Sequence, residues 1–447
     1  MLKDINQKFS KLLNDKHLSE LLRGGATTFY LRLVGYAIAL LLIILITRTY
    51  GAKVFGEYSL AITVLTISSL FVRLGFESSM VKLFSPRVAI NDWDSIRIIY
   101  KKILKIIFVS GIVVSTLLFF GSDYLANELF NKPSFSLYIK IAALIVIPFS
   151  LRLINADSYR GFKNMKGYAY SKHISYYLYA LVILVVLTLY SKNDLNPIIA
   201  YATGLIFLCI SSTYILLKKI KSKVQKISEE SISSKAILDL SIPMLLSSAS
   251  VLLSTHLIKL IMGVYHSTEF VGIFNATLNV VLIQNFIQAA TNSIAGPKLA
   301  EVNRLENRKE LGVIARHTTN INTYLTIPVT LFLLLFNKPL LSILGKEFIV
   351  GSDAFLIMLL GNFITVLCGP TSVFMNMTGL QKVLRNIIML SLVISSIVAF
   401  VFIPKYGIIG GAISYSVFIV SWNIICSVYV KIKTGINLFF WPFKLNN

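Results

Sequence analysis

The stretch LLSTHLIKLIMG, Leu252–Gly263, decides the fold class. It is apolar enough for hydrocarbon, yet it sets His256 and Lys259 one helical turn apart. A charge near the centre of a bilayer costs about 2.5–3.5 kcal/mol on insertion scales, so it normally faces protein or a water-filled cavity. Similar runs fill the rest of the chain. Of 447 residues, 55% are hydrophobic, and the mean hydropathy is +0.74. Apolar runs at roughly 27–47, 57–80, 103–122, 135–155, 173–190, 197–217, 241–264, 271–295, 319–337, 354–377, 386–403 and 409–430 are each long enough for about 30 Å of hydrocarbon. These twelve runs predict an all-α integral membrane protein with twelve transmembrane helices.

The formal net charge is +23. A nucleic-acid partner would need a basic domain outside the membrane, and no polar stretch is long enough to be one. The basic residues alternate with the runs instead. With a cytoplasmic N-terminus, the segments on that side hold Lys3 to Arg23, Lys82 to Lys105, Arg152 to Lys172, Lys218 to Lys235, Lys298 to Arg316, Lys382 with Arg385, and Lys431 to Lys444. These contain about 32 of the 43 Lys and Arg residues, against about eight on the other side. That bias predicts both termini in the cytoplasm and accounts for most of the charge. Cys209, Cys368 and Cys426 have no CxxC spacing, so neither a disulfide framework nor a metal site is expected, and nothing implies a cofactor.

The polar loop KKIKSKVQKISEESISSK, Lys218–Lys235, divides the runs into six and six. It predicts a cytoplasmic linker (218–236) between an N-terminal six-helix lobe (26–217) and a C-terminal one (237–432). A tail (433–447) follows, and a surface-lying amphipathic helix (1–25) precedes, with Leu2, Ile5, Phe9, Leu12 and Leu13 at helical spacing. No cleavable signal pattern opens the chain. A faint internal repeat supports paired lobes: YGAKVFGEYSLA from Tyr50 and YHSTEFVGIFNA from Tyr265 share Tyr, Phe and Ala.

Three basic residues are expected within spans: Arg32, Arg73 and Lys259. Arg73 has Glu77 at i+4, so a structural ion pair and a functional role both stand. Arg32 and Lys259 lie in the first spans of the two lobes, matching places beside a central cleft. Lys259 either faces that cleft or reaches the outer interface. No Asp or Glu falls mid-span, and a cationic cavity without a counter-ion suits a ligand that carries phosphate or pyrophosphate. The eighth span holds Asn275, Asn279, Gln284, Asn285, Gln288 and Asn292; the last four share about a third of the helix circumference. They either line the cavity, where sugar hydroxyls would match them, or bond to neighbouring helices. His256 is a possible proton site or a buried, hydrogen-bonded histidine, and Glu77 is a second possible proton site. Tyr170, Tyr176, Tyr177 and Tyr179 fit an interfacial aromatic belt.

The order of RTYGAKVFGEYSLA after the first span, RLGFESSMVKLFSP closing the second, PKLAEVNRLENRKELGVIARHTTNINTYLTIPVTLFLLLF from Pro297, LLSILGKEFIVGSDAFLIMLLG from Leu340 and MTGLQK from Met377 resembles the Wzx-type polysaccharide biosynthesis flippases of the multidrug/oligosaccharidyl-lipid/polysaccharide exporter superfamily. The resemblance implies two six-helix lobes around a central cavity, as in MATE transporters, with alternating access driven by H+ or Na+. It implies transport of undecaprenyl-pyrophosphate-linked oligosaccharide repeat units from the cytoplasmic to the periplasmic leaflet of the bacterial inner membrane. The product would be O-antigen of lipopolysaccharide, or capsule, made with a polysaccharide polymerase and a chain-length regulator as partners. Arg32 matches the head-group role by position in the chain, and Lys259 by location.

A peptidoglycan-precursor or multidrug exporter of the same superfamily is an alternative, although multidrug members use embedded acidic residues that are missing here. From another class, a membrane-embedded polysaccharide polymerase would need acid, base or nucleophile groups gathered at one surface. The outer loops are short and poor in them, and no Walker A, GxGxxG or HExxH motif occurs. A transporter, not an enzyme, is the expectation.

Overall fold

The computed structural model describes residues 16–224 and 233–441, which are helical apart from short connections. In chain order the helices are α1 (Lys16–Arg73), α2 (Phe76–Ala89), α3 (Trp93–Tyr124), α4 (Phe135–Gly161), α5 (Met165–Ala169), α6 (Ser175–Tyr190) and α7 (Asn196–Lys223). The second half supplies α8 (Ser234–Tyr265), α9 (Thr268–Val281), α10 (Asn285–Arg304), α11 (Arg308–Leu335), α12 (Asn337–Leu344), α13 (Ser352–Leu367), α14 (Thr371–Met377) and α15 (Gln381–Thr434).

Nine stretches among the described residues are long and apolar enough to cross a membrane. Two are double. α1 is broken at Gly51 (φ 81°, ψ 177°) and α15 at Gly407 (φ 52°, ψ −119°), backbone shapes that glycine adopts without a Cβ clash. Leu42 and Ser59, on opposite arms of α1, line one cavity. Across α15, the Ser395 hydroxyl donates to the Ser414 carbonyl at 2.9 Å. In both helices, therefore, the chain folds back on itself.

A buried amide ties the first half together. Tyr100 donates to Asn155 Oδ1 at 2.7 Å, and Asn155 Nδ2 donates to Ser212 at 2.9 Å and Thr213 at 2.8 Å, so α3, α4 and α7 share one satisfied polar node in an apolar core. The second half has a smaller core of its own around Leu299, Ala315, Phe374 and Cys426.

The halves meet through two glycines. A Cβ on Gly56 of α1 would stand 1.7 Å from the Thr268 carbonyl oxygen, and one on Gly272 of α9 would stand 2.2 Å from that of Ala52. The contact is reciprocal and brings the two backbones together as only small residues permit. Polar links surround it. Arg48 donates to the carbonyls of Ile343 (2.6 Å) and Ser342 (2.9 Å), Glu347 Oε1 accepts the Ala52 N–H at 2.7 Å, and Lys132 Nζ donates to the Gly263 carbonyl. The Gly51 end of the interface is thus closed.

Residues 1–15 of the expected amphipathic helix and 225–232 of the expected linker lie outside the described residues. From Lys16 the backbone runs as helix into the first apolar run. The segment after α15 packs on the second half: Ile436 and Leu438 are buried, Thr319 donates to the Leu438 carbonyl at 2.9 Å, and the Phe440 N–H reaches the Leu367 carbonyl at 2.8 Å.

Candidate functional site

A cavity of about 270 Å³ lies where the halves face one another, lined from both sides. The first half contributes Tyr58, Arg152, Tyr176, Tyr177 and Tyr201, and the second contributes His256, Lys259, Asn275 and Asn279. No carboxylate is among its lining residues.

Arg152 is the basic residue that the sequence pattern misplaced. Counted with the cytoplasmic segments, it lies instead on α4 and is 4% exposed. Its guanidinium sits 4.1 Å from the Tyr176 ring and 5.4 Å from that of Phe149, a cation–π arrangement on two faces. A π-helical turn, Tyr170–Ile174, precedes α6 and turns the Ser171 and Lys172 carbonyls towards Arg152 Nη1, each at 3.5 Å. These bonds are long, and Arg152 Nε is buried with no partner. The group is therefore a held cation with donor capacity to spare. Gly35 makes the turn possible from the other side, because a Cβ there would come within 2.3 Å of the His173 carbonyl oxygen.

Lys259, 8% exposed, faces the same cavity from α8, with Nζ 3.5 Å from Asn275 Oδ1. Asn275 in turn donates to Ser59 at 3.0 Å, joining the halves. His256 lines the cavity as well, its Nδ1 3.2 Å from Thr63 Oγ1 on the other half. Tyr58, Tyr176 and Tyr201 form an edge-to-face aromatic wall, with Tyr201 centred 6.0 Å from Tyr58 and 6.2 Å from Tyr176.

A second cavity of about 220 Å³ lies beside the first and shares Tyr176 and Tyr177 with it. It holds Arg32, Tyr36, His173, Asn285 and Phe286, and no carboxylate lines it. Arg32 is exposed there. The Tyr36 hydroxyl donates to the Asn279 carbonyl, and its ring meets Phe286 edge-on at 4.7 Å, so this aromatic pair joins the halves between the two chambers.

The remaining candidates fall elsewhere. Arg73, 2% exposed, is paired with Glu77 and donates to the Ser69 carbonyl at 3.2 Å and hydroxyl at 3.1 Å. Neither Arg73 nor Glu77 lines either cavity. Of the amide stripe, Asn285 lines the second cavity, and Asn275 and Asn279 the first. Gln288 and Asn292 are half-buried on α10 and line neither. The tyrosines at 176 and 177 belong to the cavity wall as well as to the end of a span. What could have found Arg152 is its position inside the apolar run 135–155, where a buried cation is costly unless used.

Residues 21–302 match the family model for the polysaccharide biosynthesis protein family. Among curated proteins, the chain is similar to the capsular polysaccharide biosynthesis protein CapF of Staphylococcus aureus, with 25% identity over 389 residues that span 84% of this chain and 91% of CapF. Among solved structures, it is similar to the lipid II flippase MurJ in an inward closed conformation. That match has a TM-score of 0.72 at 15% identity, covering 92% of this chain and 88% of MurJ. It is also similar to an inward-facing multidrug resistance MATE family transporter of the MOP superfamily, with a TM-score of 0.71 at 13% identity over 90% of this chain and 94% of that one. At such identities the structural likeness establishes the fold. A family match over more than half the chain places this multi-pass membrane protein in the polysaccharide biosynthesis protein family.

Proposed function

We propose that the protein is a flippase that carries undecaprenyl-pyrophosphate-linked oligosaccharide repeat units from the cytoplasmic to the periplasmic leaflet. It crosses the inner membrane twelve times, with both termini in the cytoplasm and two six-helix lobes rocking about the shared cavity. The observation that carries this reading is the placement of Arg152 and Lys259, from opposite halves, in one carboxylate-free cavity walled by tyrosines. Two cations at one site match a diphosphate. The tyrosine wall and the amides of Asn275 and Asn279 match a sugar's apolar face and hydroxyls.

In this reading the Gly51 end is the periplasmic side, and the closed contact of Gly56 with Gly272 seals it. Arg32 meets the phosphates first, and the shared tyrosines pass them inward to Arg152 and Lys259. Transport is ion-coupled. Because Glu77 is taken up by Arg73, the coupling proton is assigned to His256, the one histidine among the cavity's lining residues, bonded across the halves to Thr63. Export of cationic drugs is disfavoured, since no carboxylate lines either chamber.

The test is a deletion strain with polymerase and ligase intact, complemented in turn with wild type, Arg32→Ala, Arg152→Ala and Lys259→Ala at matched protein levels. Expected are lipid-linked repeat units held on the cytoplasmic side and lost surface polysaccharide in the deletion, with display impaired in each variant. Full display by all three variants would remove the binding role. Accumulation of single repeat units already on the periplasmic face would indicate a polymerase.

A further inference from the structure

Away from the central cavity, α3 and α7 pack side by side, and their ends enclose a recess of about 280 Å³. Arg97 and Lys101, one turn apart on α3, and Lys221 on α7 line it, over a floor of Tyr100, Leu217 and Ile220. The floor is committed elsewhere: Tyr100 is fully buried and its hydroxyl is engaged by Asn155. Neighbouring lysines are turned aside, with Lys219 Nζ 5.2 Å from the centre of Phe162 and Lys223 Nζ 5.0 Å from that of Trp93. Asp94 Oδ1 lies 3.9 Å from Arg97 Nη1. Among the described residues neither Lys101 nor Lys221 has an ion-pair partner, so positive charge is in excess.

The same helix faces continue into the membrane as apolar stripes. On α3 the spacing from Arg97 and Lys101 leads to Phe108 (56% exposed) and Ile112 (50%); on α7 it leads back from Lys221 through Tyr214 (64%) and Ile210 (66%) to Phe207 (58%). Cations at one end of a two-helix groove and exposed apolar side chains along it form a match for an amphiphile with an anionic head. A free phosphate would use only the recess. We propose that this groove binds an anionic glycerophospholipid, with its phosphate on Arg97, Lys101 and Lys221 and its acyl chains along the two stripes. Basic recesses between membrane helices on the cytoplasmic side suit such head groups, above all those with two phosphates. The assignment to the cytoplasmic leaflet rests on the orientation proposed above; the binding chemistry does not.

The test is native mass spectrometry of the full-length protein purified in detergent, titrated with cardiolipin or phosphatidylcholine. Wild type should hold cardiolipin about tenfold or more tighter than the triple variant Arg97→Gln, Lys101→Gln, Lys221→Gln. A control triple, Lys298→Gln, Lys309→Gln, Lys382→Gln, should bind as wild type. Melting temperatures of both variants should match wild type, since none of the six residues is buried. Equal affinity in the site variant and wild type would overturn the proposal, and so would equal loss in the control, which would mean diffuse surface charge. Displacement of cardiolipin by inorganic phosphate at comparable concentration would assign the recess to a free anion and overturn it too. No transport is read, so failure of the flippase reading leaves this outcome intact.

Discussion

The carboxylate of Glu347 accepts the backbone N–H of Ala52 at 2.7 Å, so that one half of the protein caps a helix belonging to the other. The need for a cap arises at Gly51, where α1 breaks and its second arm starts with N–H groups that have no carbonyl to meet. Arg48 does the converse, donating to the last carbonyls of α12 at Ser342 and Ile343. Each cap ties the arms of α1 to the second half, and both must break before the Gly51 end can open.

Glu347→Ala and Arg48→Ala should each weaken this closure by about 1 kcal/mol, raising the fraction open at that end about fivefold. In a cysteine-free background, Ser59→Cys in the cavity reads it out. Labelling by an impermeant maleimide added outside intact cells should rise in both variants. Unchanged labelling would mean that the caps do not hold that end shut.

Gly272→Ala places a methyl 2.2 Å from the Ala52 carbonyl oxygen, and Gly56→Ala places one 1.7 Å from that of Thr268. Overpacking of this kind costs about 1–3 kcal/mol. Transport should fall at normal membrane insertion, and Ser59→Cys should again label faster from outside. Gly121→Ala, with nothing within 4 Å of the added methyl, is the control and should be silent.

Glu77→Gln leaves the Arg73 guanidinium, 2% exposed, without its counter-charge. Breaking a buried pair from one side costs about 3–5 kcal/mol, while replacing both partners with apolar groups is often neutral. The single variant should melt well below wild type in detergent, and Arg73→Met with Glu77→Leu should recover most of the loss. A Glu77→Gln protein with wild-type melting but no transport would make Glu77 a coupling residue instead.

Arg152→Lys keeps the charge but gives up the planar stack on Tyr176 and the guanidinium fork. Surface polysaccharide at matched protein level should drop about tenfold, whereas Tyr176→Phe, which keeps the ring face, should stay near wild type. Wild-type display by both Arg152→Lys and Arg152→Gln would take Arg152 out of the binding site.

The helical class and the positions of the apolar runs were legible in the sequence, because hydrocarbon burial dictates run length and composition residue by residue. The Arg73–Glu77 pair was legible for a similar reason, as its spacing is local. Lys259 and Asn275 were singled out as polar groups amid apolar neighbours, and both line the cavity. Arg152 was not, because a charge near the end of a run reads as a loop residue until Tyr176 and the π-helical turn close over it. Those contacts come from other helices. Gln288 and Asn292 show the reverse: they share a helix face with Asn285, yet the 3₁₀ turn Leu282–Gln284 and the packing of α10 leave them off both cavities. The approach of Gly56 to Gly272 has no local signature either, since each is one glycine among the 24 in the chain.

A reversal made from one residue at Gly51 leaves no ribbon of chain outside. A protease or antibody working at that surface finds little to grip, and a pull on one limb reaches the other without slack. Arg32 rides on the first limb and Gly56 on the second, so in the proposed mechanism a cargo held at Arg32 pulls through this lever on the contact at Gly56.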